Sequence, residues 1–361
     1  MPENFSSFKR PEPKIVGAVS EEKHSEIVRS LQDRFEHNRE QLPKKSLEKL
    51  RMLEYPKKDF EKTAIADINK ALNEILANFK IKPFDIPRDN IYIVPREIYK
   101  EADDGGGDSP AFSTHDKQVI IINGEEVDHP LWRVAVLMHE MTHIKNFLSI
   151  GMQNDGESDF RRIGLQMHTT EKKSEQTDVA RYFRGLNEAV VSELEKRLFS
   201  KIISQNPFLQ KEIAERNSDE GKSLIKKAAS KRRIAEDEII YVKQLDTPDD
   251  IESVAFPYRE QRRVLHYIID ALCAKDPEHF PSRDDAFQLF LQGHFSGQVL
   301  PLARSITKVF GEDAFRILGM MSEKDDESCH MTLEYLQKKS GYRAKMESTG
   351  TQKNSGRTDQ V

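Results

Sequence analysis

The sequence predicts an α+β protein, predominantly helical, with a small sheet beside one helix rich in metal-capable side chains. Three observations carry that prediction. Apolar residues recur at helical spacing before residue 80, in Ile27, Val28, Leu31 and Phe35 and again in Phe60, Ile65, Ile68, Leu72, Ile75, Leu76 and Phe79. Two short β-branched runs, Ile91–Pro95 and Gln118–Asn123, then interrupt the helical pattern. From Pro207 onward the helical pattern returns and continues almost to the end.

Taken in order, residues 1–19 read as a flexible lead and 20–88 as a helical N-terminal subdomain. Ser20 is placed to cap the first helix, and Pro43 separates it from a second piece carrying Leu47, Leu50 and Leu53. Residues 89–205 form the expected core. Within it, residues 101–117 contain Gly105, Gly106, Gly107 and Pro110 and read as a loop. Gln118–Asn123 is the best strand in the chain, closed by Asn123-Gly124. Asp128 is placed to cap a helix with Pro130 in its first turn, expected to run to Ile150 and stop at Gly151. A strand over Phe160–Thr170, a polar turn over Glu171–Thr177 and a helix over Tyr182–Ser204 complete the core. Residues 206–338 read as a helical C-terminal subdomain, with charged connectors around Asp246–Asp250 and Asp276–Pro281. Residues 339–361 are too polar to order themselves and read as a disordered tail.

Composition excludes several classes. A formal net charge of −5 argues against nucleic-acid binding by bulk charge. The basic run Lys226–Arg233 is followed at once by acidic residues and reads as a solvated helix face. Two cysteines, Cys273 and Cys329, supply no disulfide framework and point to a reducing compartment. No apolar run approaches a membrane span, and Met1–Ser20 is too polar for a signal peptide. The expectation is therefore a cytoplasmic protein without a membrane segment; oligomeric state is not legible.

The chemistry concentrates in His139-Glu140-Met141-Thr142-His143. Residues four apart on a helix lie one turn above each other, so both imidazoles project from one face and can share a divalent cation. Glu140 is rotated by about 100° from His139 and stands beside that cation, where a general base belongs. Composition alone yields such a five-residue pattern roughly 0.03 times per chain, so its place on a strongly periodic helix carries weight. A third ligand is needed, and Glu188, bordering the apolar stripe of Leu186, Val190, Leu194 and Leu198, is favoured. Its rivals are His168, Asp178, Glu193 and Glu195, the last resembling a solvated residue.

His139-Glu140-x-x-His143 with Glu188 on a later helix resembles the gluzincin group of zincin-fold metallopeptidases, over about residues 90–205. The resemblance implies one Zn²⁺ held by His139, His143 and Glu188, with Glu140 as general base in peptide hydrolysis and a peptide or protein as substrate. It also implies an oxyanion donor, for which Tyr258 and His266 are the candidates, and a substrate lying along an edge strand, Gln118–Asn123 or a neighbour. Two departures stand out. The interval from His143 to Glu188 is longer than in thermolysin-like enzymes, and the position one turn after Glu188, where many gluzincins carry an aspartate that orients a ligand histidine, is Ser192, with Glu193 adjacent. The alternative is a non-catalytic metal-binding scaffold or interaction protein on the same fold; retention of Glu140 weighs against it.

Overall fold

The computed structural model describes residues 9–17, 19–36, 52–102, 109–152, 158–173, 176–247 and 250–342, with the side chains of 170–173 and 176–179 also left aside. The piece expected around Leu47 and Leu50, the centre of the glycine-rich loop and the tail beyond 342 lie outside the described residues.

The α+β expectation holds. Helices α1 (Glu21–Glu36) and α2 (Asp59–Asn78) precede a three-stranded sheet of β2 (Ile91–Val94), β3 (Ala111–Thr114) and β4 (Val119–Asn123), with the short α3 (Arg96–Ala102) between β2 and β3. β4 pairs with β2 in parallel and with β3 antiparallel, so it is the central strand, and all five of its residues are buried. An unbroken Val-Ile-Ile-Ile run suits a strand covered on both faces. The edges therefore belong to β2 and β3, and β3 is the neighbour that lies against the next helix.

That helix, α4 (Pro130–Ile144), starts one residue later than its expected cap: the His129 ring nitrogen Nδ1, not Asp128, accepts the Leu131 N–H. It also ends earlier. Main-chain bonding turns at Lys145 and Asn146, and Leu148–Met152 becomes β5, with Gly151 inside the strand rather than at a helix end. The β-branched Ile150 and the close approach of the Arg161 side chain to Gly151 favour the extended form, in which only glycine fits under that neighbour.

β5 begins a five-stranded sheet ordered β1-β5-β6-β7-β8, where β1 is Lys14–Val16, β6 Ser158–Ile163, β7 Gln166–Lys173 and β8 Gln176–Tyr182. Three expectations change here. Part of the presumed flexible lead forms β1, parallel to β5. Phe160–Thr170 is a hairpin turning at Gly164-Leu165, not one strand. Of the polar stretch Glu171–Thr177, the described residues on either side are strand, because the register runs from Met167↔Tyr182 to Lys173↔Gln176.

α5 (Arg184–Gln205) follows, and most of its residues are buried because α4, α2 and the C-terminal helices pack around it. Beyond it come α6 (Gln210–Asn217) and α7 (Asp219–Arg232), then an unexpected antiparallel hairpin, β9 (Ile239–Gln244) and β10 (Ile251–Ala255), whose turn occupies the charged connector. Tyr241 of β9 stacks flat on His129 at 4.0 Å and lies near Trp132, pinning the hairpin to the start of α4. The remaining helices are α8 (Arg259–Lys275), α9 (Arg283–Ser296), α10 (Val299–Phe310), α11 (Ala314–Gly319) and α12 (Asp326–Ser340). One apolar cluster runs from Phe35 to Leu336 and includes Leu137, Met138 and Met141 of α4 and Leu186, Val190 and Leu194 of α5. Each such fully buried side chain contributes about 1.5–3 kcal/mol, which holds both helices rigidly where their polar faces meet. Among the described residues no helix is long and apolar enough to cross a membrane.

Candidate metal centre

α4 presents His139 and His143 one turn apart, and α5 brings Glu188 against them. The two Nε2 atoms are 3.2 Å apart, and Glu188 Oε2 lies 3.3 Å from that of His139 and 3.1 Å from that of His143. A tetrahedral ion with ligands at about 2.0–2.1 Å has ligand–ligand edges of about 3.3 Å. The spacing of the three atoms matches one face of such a tetrahedron. Two imidazoles and a carboxylate are also a donor set that suits zinc. The residues present fit the ion.

The ring orientations support this. His139 Nδ1 lies 3.0 Å from Glu195 Oε2. A carboxylate only accepts there, so Nδ1 carries the hydrogen and Nε2 is the ring nitrogen facing His143 and Glu188, the one that a metal would take. Glu195, which the sequence reading took as solvated, is 1% exposed. It stands seven residues after Glu188, two helical turns along the same face. Ser192, one turn after Glu188, does not reach the imidazole; its Oγ donates to Pro257 O at 2.9 Å.

The electrostatics are those of an acid-rich pocket. Burial opposes a charge on His139, but the Glu188 and Glu195 carboxylates outweigh it and hold its pKa well above the ordinary value. Burial likewise opposes the Glu188 charge, yet His143 and His139 hold that carboxyl well below its usual range. Burial raises the Glu195 pKa, countered by His139 and by the charge of Arg262. Glu140 is 7% exposed, and among the described residues no hydrogen bond or ion pair holds its carboxylate. Three buried acids around two imidazoles make a strong demand for positive charge.

Tyr258 forms the opposite wall. Its ring lies over His139 with centroids 5.7 Å apart and planes 20° from parallel. The residue has φ 57° at the start of α8, an uncommon conformation for a tyrosine, fixed because Ser192 and Arg262 both donate to Pro257 O. Arg262 is itself held by both carboxylate oxygens of Glu238. The Glu188 charge, then burial, then Glu140 raise the Tyr258 pKa, so the phenol keeps its proton.

Other candidates are placed elsewhere. His266 Nε2 is 2.7 Å from Glu193 Oε2, and burial of Glu193 is outweighed by His266 and Arg197, which hold its pKa down to about 2. Neither belongs to the group formed by His139, His143 and Glu188. His168 pairs with Gln166 at 2.7 Å. Asp178 falls among the side chains left aside. Sequence reasoning missed Glu195, although its spacing from Glu188 was available as a signal. With the geometry in place, the chain was compared with protein-family models, with curated proteins and with solved structures, and none of the three comparisons finds a match.

Proposed function

We propose that this chain is a zinc-dependent peptidase of the gluzincin kind, with Zn²⁺ held by His139 Nε2, His143 Nε2 and Glu188 Oε2. The observation that carries the proposal is the near-equal spacing of those three atoms, 3.1–3.3 Å. Zinc in such a site polarises a carbonyl and lowers the pKa of a water from about 15.7 toward 7.

The chain's own residues supply the rest. Glu140, buried beside His139 and unpaired, is placed to take a proton from the attacking water and return it to the leaving amide nitrogen. Tyr258, still protonated at neutral pH, is the donor for the carbonyl oxygen as negative charge builds on it. His266 is engaged by Glu193, so Tyr258 is the stronger of the two donor candidates. Glu195 holds the His139 ring in its ligating tautomer. β3 is the edge strand nearest α4 and offers main-chain groups to an extended peptide.

Purified protein is expected to carry one zinc per chain by elemental analysis and to cleave a quenched-fluorescent peptide library. Glu140→Gln is expected to keep the metal and lose about 10²–10⁴-fold in rate. Hydrolysis by Glu140→Gln at the wild-type rate with zinc retained, or wild-type protein without stoichiometric metal, sinks the reading.

A further inference from the structure

We infer that His294, on α9, is a positioning residue for the metal centre, acting through the Asn187 carboxamide to set how the Glu188 carboxylate faces the two imidazoles. The inference rests on the metal-site reading above and brings the C-terminal region into that site.

Asn187 immediately precedes Glu188 and is 1% exposed. Its Oδ1 accepts the Leu165 main-chain N–H at 3.1 Å, which identifies that end of the carboxamide as oxygen. The other end, Nδ2, therefore points the opposite way and lies 3.5 Å from Glu188 Oε1. With Oε1 drawn toward Asn187, Oε2 is the oxygen left facing His139 and His143.

The same Asn187 Oδ1 lies 3.1 Å from His294 Nδ1. An amide oxygen cannot donate, so Nδ1 must carry the hydrogen and Nε2 is bare. His294 is completely buried; its ring also comes against the Thr142 main chain near the end of α4, and Nε2 makes no hydrogen bond of good geometry among the described residues. The one ring nitrogen with a well-formed hydrogen bond is Nδ1, and it is aimed at Asn187.

The surroundings keep the pair from swinging away. Phe147, just beyond α4, donates its N–H to His294 O at 3.1 Å, and Gly164 donates to Phe147 O at 2.8 Å. Gly164 has φ +58°, and a Cβ there would stand 2.7 Å from Asn187 Oδ1 and 2.8 Å from His294 Nδ1. Arg162 donates to Gly293 O and Gly297 O, fastening the end of α9 to the same hairpin. The exit of α4, the β6–β7 turn and the end of α9 thus meet around one carboxamide.

The test measures metal affinity by chelator competition, with Co²⁺ absorption as a second reading of ligand geometry. His294→Phe keeps the bulk but removes the donor; it is expected to bind Zn²⁺ about 10–100-fold more weakly and to shift the Co²⁺ bands. His294→Gln restores an N–H and is expected to recover to within about 3-fold of wild type. Wild-type affinity in His294→Phe overturns the inference and leaves the metal site intact. Equal loss in both variants also overturns it, because the N–H that Gln restores would then not matter. Wild-type protein that binds no metal ends both readings. Should His294→Phe fail to fold, long-range ¹H–¹⁵N spectra of the wild type decide: the Nδ1–H tautomer is expected, and the Nε2–H tautomer overturns the inference.

Discussion

Replacing Glu195 in two ways separates its hydrogen-bond acceptor from its charge. In the metal-free fold it is a buried carboxylate whose ionisation burial disfavours, offset by His139 and by the charge of Arg262. Removing one partner of a buried pair strands the other, so Glu195→Leu, which leaves His139 Nδ1–H without its acceptor, weakens the metal-free fold as well. Among the described residues this carboxylate is the one hydrogen-bond acceptor of His139 Nδ1, at 3.0 Å, so it would hold the ring for a metal. Glu195→Leu leaves that N–H buried without a partner, a cost of about 1–3 kcal/mol, or about 5–150-fold in affinity. Glu195→Gln keeps an acceptor and loses only the charge, so about 3–10-fold is expected. Zinc affinity by chelator competition and thermal unfolding after EDTA treatment are the two measurements. The expected pattern is weaker binding in the order Leu, then Gln, then wild type, with the metal-free melting temperature of Glu195→Leu lowered and that of Glu195→Gln lowered less. A Leu variant that binds zinc as tightly as wild type would refute the assignment. So would a Gln variant that binds zinc as weakly as the Leu variant, since the acceptor that Gln keeps would then not matter.

Two further outcomes concern the scaffold. Burial pushes the His294 pKa down to about 3, and burial followed by the Arg10 charge does the same to His115, so both fold neutral. The unfolded chain binds protons there first, so their contribution is complete above pH 6.5 and is lost as pH falls from 6.5 toward 3, at about 1.4 kcal/mol per pH unit per histidine. Urea unfolding of EDTA-treated protein from about pH 7 to about pH 4.5 checks this, and a flat profile contradicts it. Separately, Arg133 of α4 is tied at 3.0 Å to Glu61 of α2, both buried. Glu61→Leu strands the guanidinium and is expected to cost about 3–5 kcal/mol, with Glu61→Leu/Arg133→Met losing less; a single-variant loss under about 1 kcal/mol contradicts the pairing.

Local signals explain what could be read from the sequence. Periodicity located α2, α4 and α5, and β-branched runs located β2 and β4, because each element is decided by its own residues. The end of α4 was misjudged for a tertiary reason. Leu148 and Ile150 are apolar at positions a helix could also bury, and only pairing with β1 and β6 makes them a strand. The β6–β7 and β7–β8 hairpins were blurred similarly, since long polar strands such as Gln166–Lys173 derive their order from register rather than composition. Arg10 could not have been anticipated. A charged residue near a polar terminus gives no hint that Gln118 receives it in the interior.

The candidate ligands show the same division. His139 and His143 are read from one helix turn, and Glu188 from its place at the edge of an apolar stripe, but treating Glu188 alone missed the larger pattern. Gly185, Glu188, Ser192 and Glu195 recur at spacings of three, four and three, which is one continuous helix face. Gly185 lets the 321–322 backbone approach, Glu188 meets both imidazoles, Ser192 holds Pro257 and Glu195 holds His139. A face with two acids and two small residues would normally be assigned to solvent. Here the flanking apolar positions Leu186, Ala189, Val190 and Val191 are all buried, so no solvent side remains within that stretch of α5 to receive the acids. Two carboxylates repeated at helical spacing inside a helix buried on all sides require positive charge from outside the helix, and the paired histidines of α4 are where that charge would be bound.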